Sequence, residues 1–166
     1  MASQGGRLLA LICAGVWSAS VLAATSQSFQ VSATITAGCL VVGGVSNYGS
    51  LAFGSQSALS TSTVKVALSG GVQLQCTPGV TLNMTVDGGQ YNSSGRHMQL
   101  NSGSARVAYQ LYSDAAYSQS LGISQSVAVA YSDANNISLP IYGQVQLPGN
   151  QPGGTYSDVL QVQLSW

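Results

Sequence analysis

From Phe29 onward apolar and polar residues alternate along the chain, and no window repeats apolar residues at the three- and four-residue spacing of a helix. Successive side chains of a strand point to opposite faces, so alternation describes a ribbon with one face buried and one solvated. Phe29, Val31, Ala33 and Ile35 share one face of a segment that runs to Ala37. Val107, Tyr109 and Leu111 share a face of another, with Ala108, Gln110 and Tyr112 opposite. Further strands are predicted at Cys39–Val45, at Thr63–Cys76 with an interruption at Gly70-Gly71, and at Val80–Val86. Others follow at Val127–Tyr131, from Ile137 through Ile141 to Leu147, and from Tyr156 to Trp166, where Leu160, Val162, Leu164 and Trp166 share a face. Turn sequences such as Asp87-Gly88-Gly89 and the run Pro148–Gly154 separate them. Seven to nine short alternating strands predict an all-β fold: antiparallel sheets packed as one two-layer sandwich with Greek-key connections.

The chain is rich in Ser, Gln, Asn, Thr and Gly and poor in charge, which could suit a disordered segment. Its hydrophobic content of 45 % argues against that and for a packed core. Arg7 is the only charged side chain before Lys65. An uninterrupted apolar run, Leu8–Trp17, follows it, then small residues and Val21-Leu22-Ala23. A basic start, a short apolar run and a small-x-small exit mark a secretory signal peptide over residues 1–23, cleaved after Ala23 or Ala24. The run is shorter than the roughly 20 residues that span a bilayer, so the mature chain is expected not to insert into a membrane. Cys13 leaves with the signal, and Cys39 and Cys76 remain. In an oxidising compartment a single disulfide is the default for such a pair; a metal or redox pair is the alternative.

Few groups remain for chemistry. The mature chain carries Lys65, Arg96 and Arg106 against Asp87, Asp114, Asp133 and Asp158, and no Glu. That balance offers no basic patch for nucleic acid or for an anionic membrane surface. His97 is the only histidine, and no histidine or cysteine spacing suits a metal, so neither metal nor cofactor is expected. His97 reads as a surface residue at a strand start, not a base. Asp87 suits capping of its own turn, Asp114 and Asp133 the same in polar loops, and Asp158 accepting bonds from the turn before it. No two carboxylates are spaced as an acid–base pair, and the chain does not read as an enzyme.

The terminal segment is the unusual feature. A polar leader, Ala24–Ser28, precedes the alternating Phe29–Ala37, and Gly38-Cys39 follows at once. Such a strand either opens its own sandwich or, with Gly38 as a hinge, adds to the open sheet edge of another molecule. With it stand Ala37-Gly38-Cys39, Tyr48-Gly49-Ser50, the segment Val72–Cys76, Arg96-His97-Met98, the segment Ala108–Asp114, Ile141-Tyr142-Gly143 and the segment Gly154–Asp158. Together, in order and over essentially the whole mature chain, these stretches resemble the spore coat protein U family, which includes subunits of archaic, Csu-type chaperone–usher pili. Leu121-Gly122 departs from the Trp-Gly that such sequences tend to carry, a change of core packing.

The resemblance implies an incomplete immunoglobulin-like β-sandwich, residues 38–166, lacking its last strand. A periplasmic chaperone would fill the gap first, and the N-terminal strand of the next subunit, residues 24–37, would then replace it. The outer-membrane usher and neighbouring subunits complete the expected partners. Carried over, Phe29, Val31, Ala33 and Ile35 become donor-strand anchors, and Cys39–Cys76 the disulfide. Leu160, Val162, Leu164 and Trp166 would edge the acceptor groove and contact the chaperone. The implied function is a structural subunit of a surface pilus that supports adhesion and biofilm formation, reached through the periplasm. Two alternatives stand beside it. Tyr91, Tyr112, Tyr117 and Tyr131 could form the stacking surface of a carbohydrate-binding adhesin, or the chain could be a secreted spore or cyst coat protein.

Overall fold

A computed structural model describes residues 30–44 and 47–166. The chain divides at residue 34, and residues 35–166 make one compact unit. Of the unit before it only residues 30–34 are described, and they adopt no regular structure. The signal segment and Phe29 lie outside the described residues.

Among the described residues the compact unit has ten short strands: β1 Cys39–Val41, β2 Thr63–Ala67, β3 Leu74–Cys76, β4 Asn83–Val86, β5 His97–Leu100, β6 Arg106–Tyr112, β7 Val127–Ala128, β8 Tyr142–Gln146, β9 Tyr156–Ser157 and β10 Val162–Ser165. Every pairing is antiparallel. One sheet runs β2-β8-β6-β5-β9. A three-stranded sheet runs β10-β4-β7, and β1 pairs with β3.

The alternation does what the sequence predicts. In β6, Val107, Tyr109 and Leu111 are buried and Arg106, Ala108 and Gln110 exposed. Register places Tyr109 opposite Val145 and Leu111 opposite Gly143 of β8, so the inner face is continuous across both strands. From the other layer Met84 and Val86, with Leu82 just before β4, supply side chains with no exposed surface. One core joins these to Leu74, Leu121, Ile137 and Leu139. Cys39 and Cys76, 37 positions apart in the sequence, face each other in the β1–β3 ladder and are bonded.

Several sequence-predicted strands break where the chain changes sheet. The strand expected over Cys39–Val45 ends at Val41 and passes into a tight turn, Val42–Gly44, in which Gly43 has φ 83°; Val45 lies outside the described residues. Thr63–Cys76 is two strands in different sheets, with Gly70 at φ 65° between them. The Ile137–Leu147 segment forms a ladder only over Tyr142–Gln146. Pro140, which has no N–H to donate, interrupts it, although Ile137, Leu139 and Ile141 are all buried. The last strand, expected as Tyr156–Trp166, is β9 in the larger sheet and β10 in the smaller, joined by a crossing at 158–161.

Candidate binding groove

The sandwich of residues 35–166 has a groove along one flank, between residues 47–60 and residues 151–162. It comprises two cavities of about 510 and 550 Å³ that share Leu51, Phe53, Met98 and Tyr156 in their linings. The floor is the inner face of the sandwich: Val86, Met98, Val107, Tyr109 and Val145. It is apolar because these are the inward positions of alternating strands.

The first wall is seated by Gly143. A Cβ on that buried residue would lie 3.0 Å from Phe53 Cζ and 3.3 Å from Leu51 Cδ1. Leu51 and Phe53 therefore pack directly on the β8 backbone, while Ala52 and Gly54 are exposed. The backbone of residues 51–55 makes no backbone hydrogen bond to another described residue. The second wall is the crossing and β10. Leu160 and Val162 line the groove. Among the described residues β10 pairs with β4 along one side only, so its other side is an edge of the described sheet. Apolar pockets beside a lip with unpaired backbone are what an added strand requires: main-chain partners for affinity and pockets for alternate side chains.

Polar side chains hold the crossing where no ladder can. Asp158 Oδ1 accepts from the backbone N–H of Gln90 at 2.8 Å and of Val159 at 2.9 Å. Its Oδ2 accepts from the Tyr109 hydroxyl at 2.7 Å. Asp87 Oδ1 accepts from the N–H of Gly89 at 3.0 Å and of Gln161 at 2.9 Å. Gly89, at φ 80°, makes this possible: a Cβ there would lie 2.0 Å from Asp158 Oδ2. Beneath them Arg96, only 5 % exposed, donates to the carbonyls of Val86 and Asp87 at 2.8 Å each, Leu121 at 2.6 Å and Gly122 at 3.2 Å. Burial lowers the Arg96 pKa, against the opposing effect of Tyr109, Asp87 and Asp158. Burial and then the bond to Asp158 raise the Tyr109 phenol above its ordinary range, so it stays a proton donor to that carboxylate.

Each sequence-predicted residue can now be placed. Val31 and Ile35 are 81 % and 90 % exposed, Ala33 is exposed, and residues 30–37 form no ladder with described residues. Gly38 is not a free hinge. Its N–H donates to Thr77 Oγ1 at 3.2 Å and its carbonyl accepts from the Thr77 N–H at 2.8 Å, so the unpaired segment ends at Ala37. Leu160 and Val162 line the groove, Leu164 is half-buried beyond it, and Trp166 is exposed near Gly38. Asp87, Asp114 and Asp133 cap their own turns as expected. Asp158 serves the 87–90 turn and Tyr109, not the turn before it.

The four tyrosines do not gather. Tyr112 meets Tyr117 edge to face, ring centres 5.4 Å apart; Tyr91 lies under Arg106, and Tyr131 donates to the Val80 carbonyl. Among the described residues no group of three or more His, Cys, Asp or Glu side chains could hold a metal ion, and no helix is long and apolar enough to cross a membrane.

Sequence reasoning missed the cluster under the crossing, though one signal was there. Arg96 shares parity with Met98 and Leu100, and Asp158 with Tyr156, Leu160 and Val162, so both charges fall on inward faces. Their neighbourhoods, Arg96-His97-Met98 and Tyr156-Ser157-Asp158, are among the stretches that carry the resemblance.

Comparison with known proteins agrees with this fold. No curated protein sequence matches the chain. A solved structure of the CsuC–CsuE chaperone–tip adhesion subunit pre-assembly complex, from archaic chaperone-usher Csu pili of Acinetobacter baumannii, is similar over 80 % of this chain with 16 % identity and a TM-score of 0.50. The chain spans 40 % of the length of that one, and the likeness is of fold: an all-β, immunoglobulin-like sandwich. The Spore Coat Protein U domain profile matches residues 25–163, so the chain belongs to the spore coat protein U domain family.

Proposed function

We propose that the chain is an exported structural subunit of a chaperone–usher pilus, and that the groove accepts a β-strand from a partner. The observation that carries this is the groove itself, apolar at its floor and, along residues 51–55, with no backbone hydrogen bond to another described residue. Residues 24–37 are the strand offered in return. Burying Phe29, Val31 and Ile35 in another subunit's groove contributes roughly 1.5–3 kcal/mol each, enough in sum for a long-lived contact. Donor and acceptor at different places on one molecule give a head-to-tail contact that does not close on itself, and such contacts build filaments.

In this reading residues 1–23 direct export and are removed. A periplasmic chaperone occupies the groove first, against β10 and the C-terminal Leu164–Trp166. The usher then exchanges it for the N-terminal strand of the next subunit, and the fibre supports adhesion and biofilm formation. Deleting residues 24–37 tests it. The shortened protein should still co-purify with its chaperone but form no ladder of heat-sensitive, SDS-resistant polymers. Normal fibres built from the shortened protein alone would remove the proposal.

A further inference from the structure

The groove's second lip is held in an unusual way. At the crossing the chain leaves one sheet for the other, and the ladder stops on both sides. The amides of Val159 and Gln161 are satisfied by carboxylates instead of by a neighbouring strand. The Asp87 N–H donates back to the Gln161 carbonyl at 3.0 Å. Asp158 ties this lip downward, through its 2.7 Å bond to Tyr109, to a residue that is itself the floor. It ties the lip sideways to Gln90 at 2.8 Å, in the one place where Gly89 leaves room. Arg96 fixes the other end of the same turn by binding the carbonyls of Val86 and Asp87. Leu160, which faces the groove, lies between the two anchored amides.

We propose that Asp158 and Tyr109 are positioning residues that hold the lip in strand-accepting geometry before a donor arrives. The proposal rests on the groove being an acceptor. A lip without a ladder and without this anchor would sample many conformations, and each incoming strand would have to order it. Holding the lip in advance removes that cost from capture, which is the general effect of preorganisation. Once a donor lies along the groove its own hydrogen bonds order the lip, so the anchor matters less for release than for capture.

The test measures capture of a fluorescent synthetic peptide, residues 28–37 of this chain, by the full mature protein, residues 24–166, with a scrambled peptide as control. Tyr109→Phe removes one hydroxyl and keeps the buried ring; Asp158→Asn removes the charge. Losing a hydrogen bond to a charged group should slow association roughly tenfold while dissociation stays within about twofold. Amide hydrogen exchange should quicken at 158–161 in both variants, with β6 and β8 unchanged. Should Asp158→Asn fail to fold, Tyr109→Phe carries the test alone. Unchanged association, or slower association together with faster exchange throughout the core, would overturn the positioning role while the acceptor reading stands. If the unaltered protein captures the peptide no better than the scrambled one, the acceptor reading itself falls, and the positioning role with it.

Discussion

The two flanks of the sandwich are built from the same kinds of residue and end in different states. On one flank β1 and β3 pair, Cys39 and Cys76 are bonded, and Leu74, Leu82 and Ile137 are 1 % exposed or less. On the other, Leu51, Phe53, Met98, Tyr156, Leu160 and Val162 are equally apolar and only half-buried. Composition does not separate them; among the described residues, a strand covers one flank and none covers the other. The closed flank is stabilised by what the chain does for itself; at the groove flank the proposed donor strand would supply the cover. The anchoring at 158–161 fits this contrast, because a wall with no ladder needs other bonds to keep its shape.

The comparison can be broken at the disulfide first. Replacing Cys39 and Cys76 together by Ser opens a loop of 37 positions and should cost about 4 kcal/mol, seen as a lower urea midpoint. Little loss would mean that the β1–β3 ladder and its core suffice to close that flank.

A sharper comparison uses one substitution on each flank. Leu82→Ala empties a site with no exposed surface and should cost about 3 kcal/mol in urea unfolding. Leu160→Ala, at the groove, should cost under about 1.5 kcal/mol, because its side chain has less packing to lose. With a donor peptide bound, the Leu160 penalty should grow while that of Leu82 stays the same. Equal penalties in the unoccupied protein would erase the distinction between the flanks.

The smallest effect is at Asp114, away from both. Its carboxylate accepts the Gln119 N–H at 2.7 Å and bonds to the Ser118 N–H and hydroxyl. These bonds, that from Gln119 foremost, hold its pKa below the ordinary value. The unfolded chain therefore takes up this proton more readily than the folded one. The turn's contribution is complete above about pH 4 and is lost as pH falls through the lowered value. Backbone shifts at Ser118 and Gln119, followed by NMR during acid titration, should move with the Asp114 carboxyl and leave the groove unaffected. Shifts that follow another group would refute the assignment.

What the sequence by itself determined is the direction of side chains within each strand. Alternation put Val107, Tyr109 and Leu111 inside and Arg106, Ala108 and Gln110 outside, because successive residues of a strand must face opposite ways. A disulfide between Cys39 and Cys76 was the default reading of the cysteines, and the two are bonded. Parity also pointed Arg96 and Asp158 inward, a signal passed over because residue type argued against it. What only the tertiary structure decided is which neighbour each strand takes. Thr63–Cys76 and Tyr156–Trp166 each read as one strand and each divides between two sheets, because alternation carries no information about the partner. The crossing at 158–161, its carboxylate anchors and the groove beside it exist only where segments distant in sequence meet: Asp87 with Gln161, and Tyr109 with Asp158. Contacts of that kind depend on the path of the chain between sheets, and no local pattern of residues encodes it.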